Sequence, residues 1–470
     1  MNWRTILKSL RNRDMLKRVL VLLSIFVAYR LLAHVPVPLA APTQLKEVVS
    51  SIVNSSDLGG FLNLLTGGAL TSFSIVLVGM SPFITSSIIT QLLTKAIPKL
   101  EELHKDGESG RRKINQWTRM IAVPLSIIQS IAFVFILRQT VLAGNSTVLA
   151  NASITSWIVA VTAMSAGSIL LMWLGELITE QGIGNGISLV IFAGIVSQIP
   201  KTLSTLGTAL FNTSKGSLHV FNWFTLPVNP LSFWVAISLA LASLIVLYIL
   251  VKVNEAQRVL TINYAKRVQG NSSYGGIKSI LPVKLISANV IPIIFAVSFL
   301  SLPAFIGQIL KATGNTSFQG LSVNLIAWFQ APKPGAFTGS TLQAFIYPAV
   351  YFVLVILFTY FYTGIIFNSN EIAENLQKQG GFIDGIRPGK QTEDYLTRTV
   401  NRLTLFGSLT LGTIAVLPFI AEYLMYSIAG VTGSNLSIGG TGLLIVVAVA
   451  LESLRQVNSR ALMVTYDDYK

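Results

Sequence analysis

The chain contains no cysteine, so disulfides and thiolate metal sites are excluded at the outset. Its three histidines, His34, His104 and His219, are far apart in sequence, which makes a histidine metal cluster improbable. Charge is scarce: only 11% of 470 residues are Asp, Glu, Lys or Arg, against roughly 25% in soluble domains. A chain this long and this poor in charge needs an apolar solvent. Nucleotide and hydrolase signatures are missing as well. No G-x-x-x-x-G-K-[ST] occurs, and the nearest string, residues 385–391, has the wrong spacing and no hydroxyl after Lys390. H-E-x-x-H and G-x-S-x-G are also absent. The chain carries no engine of its own, so neither an enzyme activity nor a cofactor is expected.

What is present is apolar sequence in long runs. A spanning helix needs about 20 mostly apolar residues. Ten candidate spans run near 18–37, 72–95, 117–138, 152–177, 185–205, 231–253, 283–309, 341–366, 400–422 and 438–455. The second and fifth are the weakest, being interrupted by polar residues and glycine. Of the 34 Lys and Arg residues, 27 fall in the N-terminal arm, in alternate gaps and in the tail. That alternation predicts an even number of spans with both termini cytoplasmic. The resulting basic face has two readings, topology alone or docking of an anionic partner such as ribosomal RNA or anionic lipid. The basic arm and first apolar run could pass for a signal peptide, but Arg30 interrupts the run and nine further spans follow. Arg30 itself either pairs with a helix end or snorkels outward. Trp3, Ile6, Leu7 and Leu10 are at helical spacing among basic residues, which suits a helix lying on the membrane surface.

The polar gaps around 96–116, 254–282 and 367–399 are each too short for an independent core. The outer gap at 310–340 reads as irregular chain, marked by Pro332 and Pro334. Ten spans divide into five and five, and an odd number per half sets the halves in opposite orientations. The division expected is 1–205 and 206–470. Pro82, Pro124, Pro292, Pro348 and Pro418 fall within expected spans and are candidate bends. Residues 59–70 form an apolar segment with glycine pairs at both ends. It is too short to cross a bilayer, so it either enters and leaves a cavity or packs as a fixed re-entrant turn. Carboxylates are nearly missing from the spans. Glu176 and Glu180 close the fourth, Glu422 ends the ninth and Glu452 is near the end of the tenth. A secondary transporter for a small solute, the principal rival reading, would hold ionisable ligands at mid-membrane.

Five strings carry a resemblance. They are Met172–Glu176 leading to Gly182-Ile183-Gly184-Asn185-Gly186-Ile187-Ser188, then Gly107–Lys113, Asn263–Arg267, Gly385–Gly389 and Gly439–Thr441. With ten spans in this order, the chain resembles the SecY/Sec61 alpha family over residues 15–465. The resemblance implies an all-α polytopic membrane protein, with ten transmembrane helices in two inverted five-helix halves closing as a clamshell around an hourglass pore. It implies a protein-conducting channel of a bacterial plasma (inner) membrane. Such a channel passes unfolded secretory polypeptides across and releases transmembrane segments sideways into lipid.

The resemblance also assigns roles. Met80, Ile84, Ile187, Ile191, Ile294 and Ile445 match the aliphatic pore ring, which dewets and excludes hydrated ions. Phe61, Leu62, Asn63, Leu64 and Leu65 match the plug. Pro82 and Pro292 flank ring positions on the second and seventh spans, part of the lateral gate. Gln91 and Asn289 are its candidate polar contacts. Arg258, Lys266, Arg267 and Arg387 match docking positions for the ribosome and the SecA ATPase. SecE-like and SecG-like small membrane subunits, the translocating polypeptide and anionic lipids complete the implied partners; no metal is implied. Two departures stand out. Val259 replaces a second basic residue usual after Arg258, and Asn289 replaces a small residue while Ile286 stands where Asn is common.

Overall fold

The computed structural model describes residues 13–39, 69, 72–143, 153–211, 218–220, 224–226, 230–264, 267–269, 272–274, 278–286, 288, 290–312, 316–329, 343–429 and 440–467. Six helices lead the chain: α1 (Arg13–Leu32), α2 (Ser81–Ala96), α3 (Pro98–Lys105), α4 (Glu108–Ala143), α5 (Ile154–Gln181) and α6 (Gly186–Leu210). A short hairpin of β1 (Leu218–Val220) and β2 (Phe224–Leu226) precedes α7 (Pro230–Glu255). Strands β3 (Gln257–Tyr264), β4 (Arg267–Gln269), β5 (Ser272–Tyr274) and β6 (Lys278–Lys284) follow. The remaining elements are α8 (Ile291–Ala312), α9 (Thr316–Phe329), α10 (Gln343–Ile366), α11 (Ser369–Lys378), β7 (Gly381–Ile383), α12 (Lys390–Ala429) and α13 (Gly440–Asp467).

All ten expected spans contain a helix. Six have the length and hydropathy to cross a membrane: Glu108–Ile136, Ile154–Gln181, Ala236–Glu255, Ile291–Lys311, Phe345–Lys378 and Lys390–Ala421. The fold is therefore that of an all-α, multi-pass membrane protein. Leu241, Leu244, Ile245 and Tyr248 on α7 are exposed, as a lipid-facing helix requires, since only helices and closed barrels satisfy the backbone within hydrocarbon.

Three expectations need correction. The second span does not begin at 72. Residues 72–80 form turns held by an extended bridge from Pro36 to Ser74, and the helix starts at Ser81. Pro82 lies in that first turn, where its missing N–H costs nothing. Pro292 likewise is the second residue of α8. Both prolines start helices and do not bend them, whereas Pro124, Pro348 and Pro418 do lie inside theirs. The outer segment read as irregular holds α9, packed on α8 and α10. The segments after α7 and after α11 also form an antiparallel sheet, order β6-β3-β7.

Within the first six helices, α4 packs on α2 and α5, and α5 packs on α1 and α6. Among the later ones, α8 packs on α9 and α10, and α10 on α12. The two sets meet along two seams. On one, α8 lies against α2 and α4; on the other, α6 lies against α7 and α13. Small polar side chains join neighbouring helices. Ser86 donates to the Thr118 carbonyl, and Ser165 donates to Ser130 Oγ at 3.1 Å. Such bonds average about 0.6 kcal/mol, so the apolar core between the seams supplies most of the cohesion.

Candidate functional site

The predicted ring residues all belong to that core or border it. Met80 caps the N-terminus of α2 and Ile84 is one turn further. Ser168 Oγ donates to the Gly79 carbonyl at 2.8 Å, which anchors the turn before Met80 to α5. At the start of α6, Asn185 Oδ1 accepts from the Ile187 N–H at 3.1 Å and the Ser188 N–H at 3.4 Å, an N-cap. Gly186 N–H donates to Thr179 Oγ1 at 2.9 Å, tying this cap to the end of α5. Ile187 and Ile191 then share one face, four residues apart. Ile294 comes from α8 and Ile445 from α13. Met80, Ile84, Ile191, Ile294 and Ile445 are all buried within the largest apolar cluster, and Ile187 packs against it. Four helices thus contribute, two from each set. The side chains hold no polar atom for an ion or cofactor. They can exclude hydrated ions, and they make no directional bond that would oppose separation.

Among the described residues no Asp, Glu, Lys or Arg is buried; the buried polar side chains are Ser, Thr, Gln and Asn. The ligand set of a solute-coupled transporter has no counterpart there. Arg30 is exposed and donates to Ser197 Oγ on α6 at 3.2 Å.

At the α2–α8 seam, Pro82 and Pro292 are buried in their first turns. Gln91 spends its amide N–H locally, on Ser87 Oγ at 3.1 Å, while its Oε1 is buried without a partner. Asn289, proposed as its counterpart, lies outside the described residues, as do Phe61–Leu65 and Lys266. Sequence reasoning missed Phe133 on α4 and Phe305 on α8, whose rings meet across the same seam at 5.6 Å between centroids. It also missed the ion pair between Arg119 of α4 and Glu176 of α5, at 2.6 Å. Both residues were legible as charges at span ends, but their pairing required the helix packing.

Of the predicted docking residues, Arg258 lies in one small sheet and Arg387 follows its third strand. Strand β3 pairs with β6 from Gln257 to Asn263, setting Arg258 opposite Val283, and with β7 through Ile262 and Ile383. Leu260, Val283, Ile383, Leu396 and Val400 form a small core that seats this sheet on α12. Arg258 and Arg387 are both exposed. Arg387 occupies a turn between Gly385 and Gly389, both at positive φ, and its carbonyl accepts from Thr392 Oγ1 at 2.9 Å. Arg267 lies in β4 opposite Tyr274. Nearby, partial burial and Arg455 push the Lys284 ammonium below its ordinary pKa, against the opposing pull of Glu452.

Comparison with known proteins gives a consistent result. The SecY family model matches residues 74–454. The protein translocase subunit SecY of Corynebacterium glutamicum is 38% identical over 467 residues, covering 98% of both chains. That of Mycobacterium bovis is 37% identical over 470 residues, again covering 98% of each. Among solved structures, a SecY whose plug domain is described as stabilising the closed channel superimposes with a TM-score of 0.58 at 17% identity. The match covers 92% of this chain and 89% of that one. Sec61 in a canine ribosome–channel complex superimposes with a TM-score of 0.52 at 17% identity, covering 93% and 90%.

Proposed function

The chain belongs to the SecY family, and from that membership we propose how its own residues divide the work of moving polypeptide. It is a protein-conducting channel subunit of a protein translocase, and not an enzyme. Met80, Ile84, Ile187, Ile191, Ile294 and Ile445 form the collar that seals the idle pore and parts around an extended chain. Residues 1–205 and 206–470 act as two halves. Pro82, Gln91, Asn289 and Pro292 belong to a gate between them, and Phe61–Leu65 to a plug above the collar.

One observation supports this reading: five of these apolar side chains are buried in one apolar cluster with Ile187 packed against it, in a core with no buried charge among the described residues. A closed collar of this kind costs hydrated ions their water, yet any unfolded sequence can thread it. Sideways release follows from solvent choice. At the helix centre, Leu gains about 0.3–0.6 kcal/mol in lipid while a charge loses about 2.5–3.5 kcal/mol.

The driver acts from the basic cytoplasmic platform of Arg258, Lys266, Arg267 and Arg387. Planar guanidinium groups suit carboxylate or phosphate partners, which fits a SecA-type ATPase, the ribosome and anionic lipid. SecE-like and SecG-like subunits complete the assembly in a bacterial plasma membrane, with both termini cytoplasmic. The test is reconstitution. The purified assembly in vesicles, supplied with SecA and ATP, should carry an unfolded secretory chain into a protease-protected lumen. Equal protection in vesicles lacking this chain would overturn the reading.

A further inference from the structure

The helix ends on the cytoplasmic side of the second seam are held by arginines from elsewhere in the chain. Arg460 on α13 donates from Nε to the Gly182 carbonyl at 3.1 Å, just past the end of α5. Five residues earlier on the same helix, Arg455 donates from Nη2 to the Asn254 carbonyl at 3.0 Å, at the end of α7. Arg18 on α1 adds a third contact, from Nη1 to the Gln181 carbonyl at 2.8 Å. Carbonyls in the last turn of a helix lack intrahelical partners and carry the negative end of its dipole. A guanidinium satisfies both deficits.

The fit is close. Gly182 adopts the left-handed conformation, φ 67°, and a Cβ there would collide with the Arg460 guanidinium. Asn254 is buried. The two arginines are about 7.5 Å apart along α13, which lets one rigid helix grip an end of each helix set at once. This lies where α13 packs on both α6 and α7.

We propose that Arg460 is a positioning residue that staples the α6–α7–α13 seam at its cytoplasmic end, with Arg455 bracing α13 on α7 within its own set, so that opening is confined to the α2–α8 seam. The staple rests on the channel reading above. A channel with two seams that parted at both would lose its wall; fixing one makes the other a hinged gate. Hydrogen bonds to charged groups are the stronger kind, so removing the Arg460 guanidinium, whose bond reaches from α13 to the end of α5, raises the equilibrium constant for parting this seam roughly ten- to hundredfold.

The test uses the full assembly in vesicles, with spin labels on cysteines placed at Glu180 and Glu255. Both positions are exposed at the ends of α5 and α7, and the chain has no native cysteine. The distance distribution is measured idle and with an arrested polypeptide. The parent should give one narrow distribution, unchanged by the arrested chain. R455A/R460A should broaden it and shift it outward on engagement, and R455K/R460K should restore much of the parental width. R460A alone, read the same way, covers the case in which the double variant fails to insert. An unchanged distribution in R460A and R455A/R460A, idle and engaged, overturns the staple. Transport by the parent is scored in the same vesicles. Failure of polypeptide to enter would count against the channel reading, while the idle distributions would still decide the staple.

Discussion

Placing an amide in the collar should open it to ions. Ile191 is only 2% exposed and is among the largest fully buried side chains described. Ile191→Asn removes an apolar side chain whose burial contributes about 1.5–3 kcal/mol. It also leaves an amide without a partner in the dry state, at about 1–3 kcal/mol by protein mutational data. The other proposed collar side chains carry no strong hydrogen-bonding group, so they give the amide no partner in the closed, dry state. A hydrated state restores the amide's bonds. Taking about 2.5 kcal/mol as the combined lower range, the wet-to-dry ratio rises roughly sixtyfold, since each 1.4 kcal/mol is a factor of ten. The assay is ion conductance of the purified assembly in a planar bilayer, without substrate or ATP. Ile294→Asn should behave similarly, because Ile294 on α8 is also buried in this cluster. Leu241→Ser, on the exposed face of α7, should leave conductance at the parental level. Parental conductance in well-folded Ile191→Asn and Ile294→Asn would refute the reasoning, as would equal leak from Leu241→Ser.

Two further outcomes concern charged and titratable residues outside the apolar core. Arg387→Glu reverses the charge at an exposed turn and should impair SecA-driven transport severely while leaving assembly in the membrane intact; normal ATP-driven export by the variant would remove the docking role. His104 on α3 is held below the ordinary imidazole pKa of 6.5, first by partial burial and then by Arg111 and Lys95. Its folded surroundings thus disfavour protonation, and stability rises with pH across the window from the lowered value up to 6.5. Thermal melts should show α3 packing weaken as pH falls through that window, and His104→Gln should flatten the slope.

Much of the architecture was legible from the run of apolar residues and from basic residues in alternate gaps, because lipid imposes both directly. The start of α2 was not. Residues 72–80 are apolar enough to extend a span, and only the bridge from Pro36 to Ser74 shows that they are held as turns. Helix α9 escaped notice because its 14 residues are too few to span and Pro332 and Pro334 follow closely. The β3–β6 pairing was hidden by Pro282, which is tolerated opposite Val259 at the sheet's edge, where β6 has no neighbour beyond β3 among the described residues. At the site, the collar residues came from a resemblance; periodicity alone would have left each as an ordinary buried or lipid-facing aliphatic. Arg455 and Arg460 were visible as charges, but their partners are main-chain carbonyls, which no side-chain pattern marks.

The central claim is that polypeptide passes through the collar itself. Single cysteines at Ile84, Ile191, Ile294 and Ile445, in a chain with none of its own, allow this to be measured by cross-linking to a cysteine midway along an arrested secretory chain. All four positions should form adducts with that chain, and a cysteine at Leu241 should form none. Adducts confined to Leu241, or absent from all four collar positions while transport proceeds, would contradict the account.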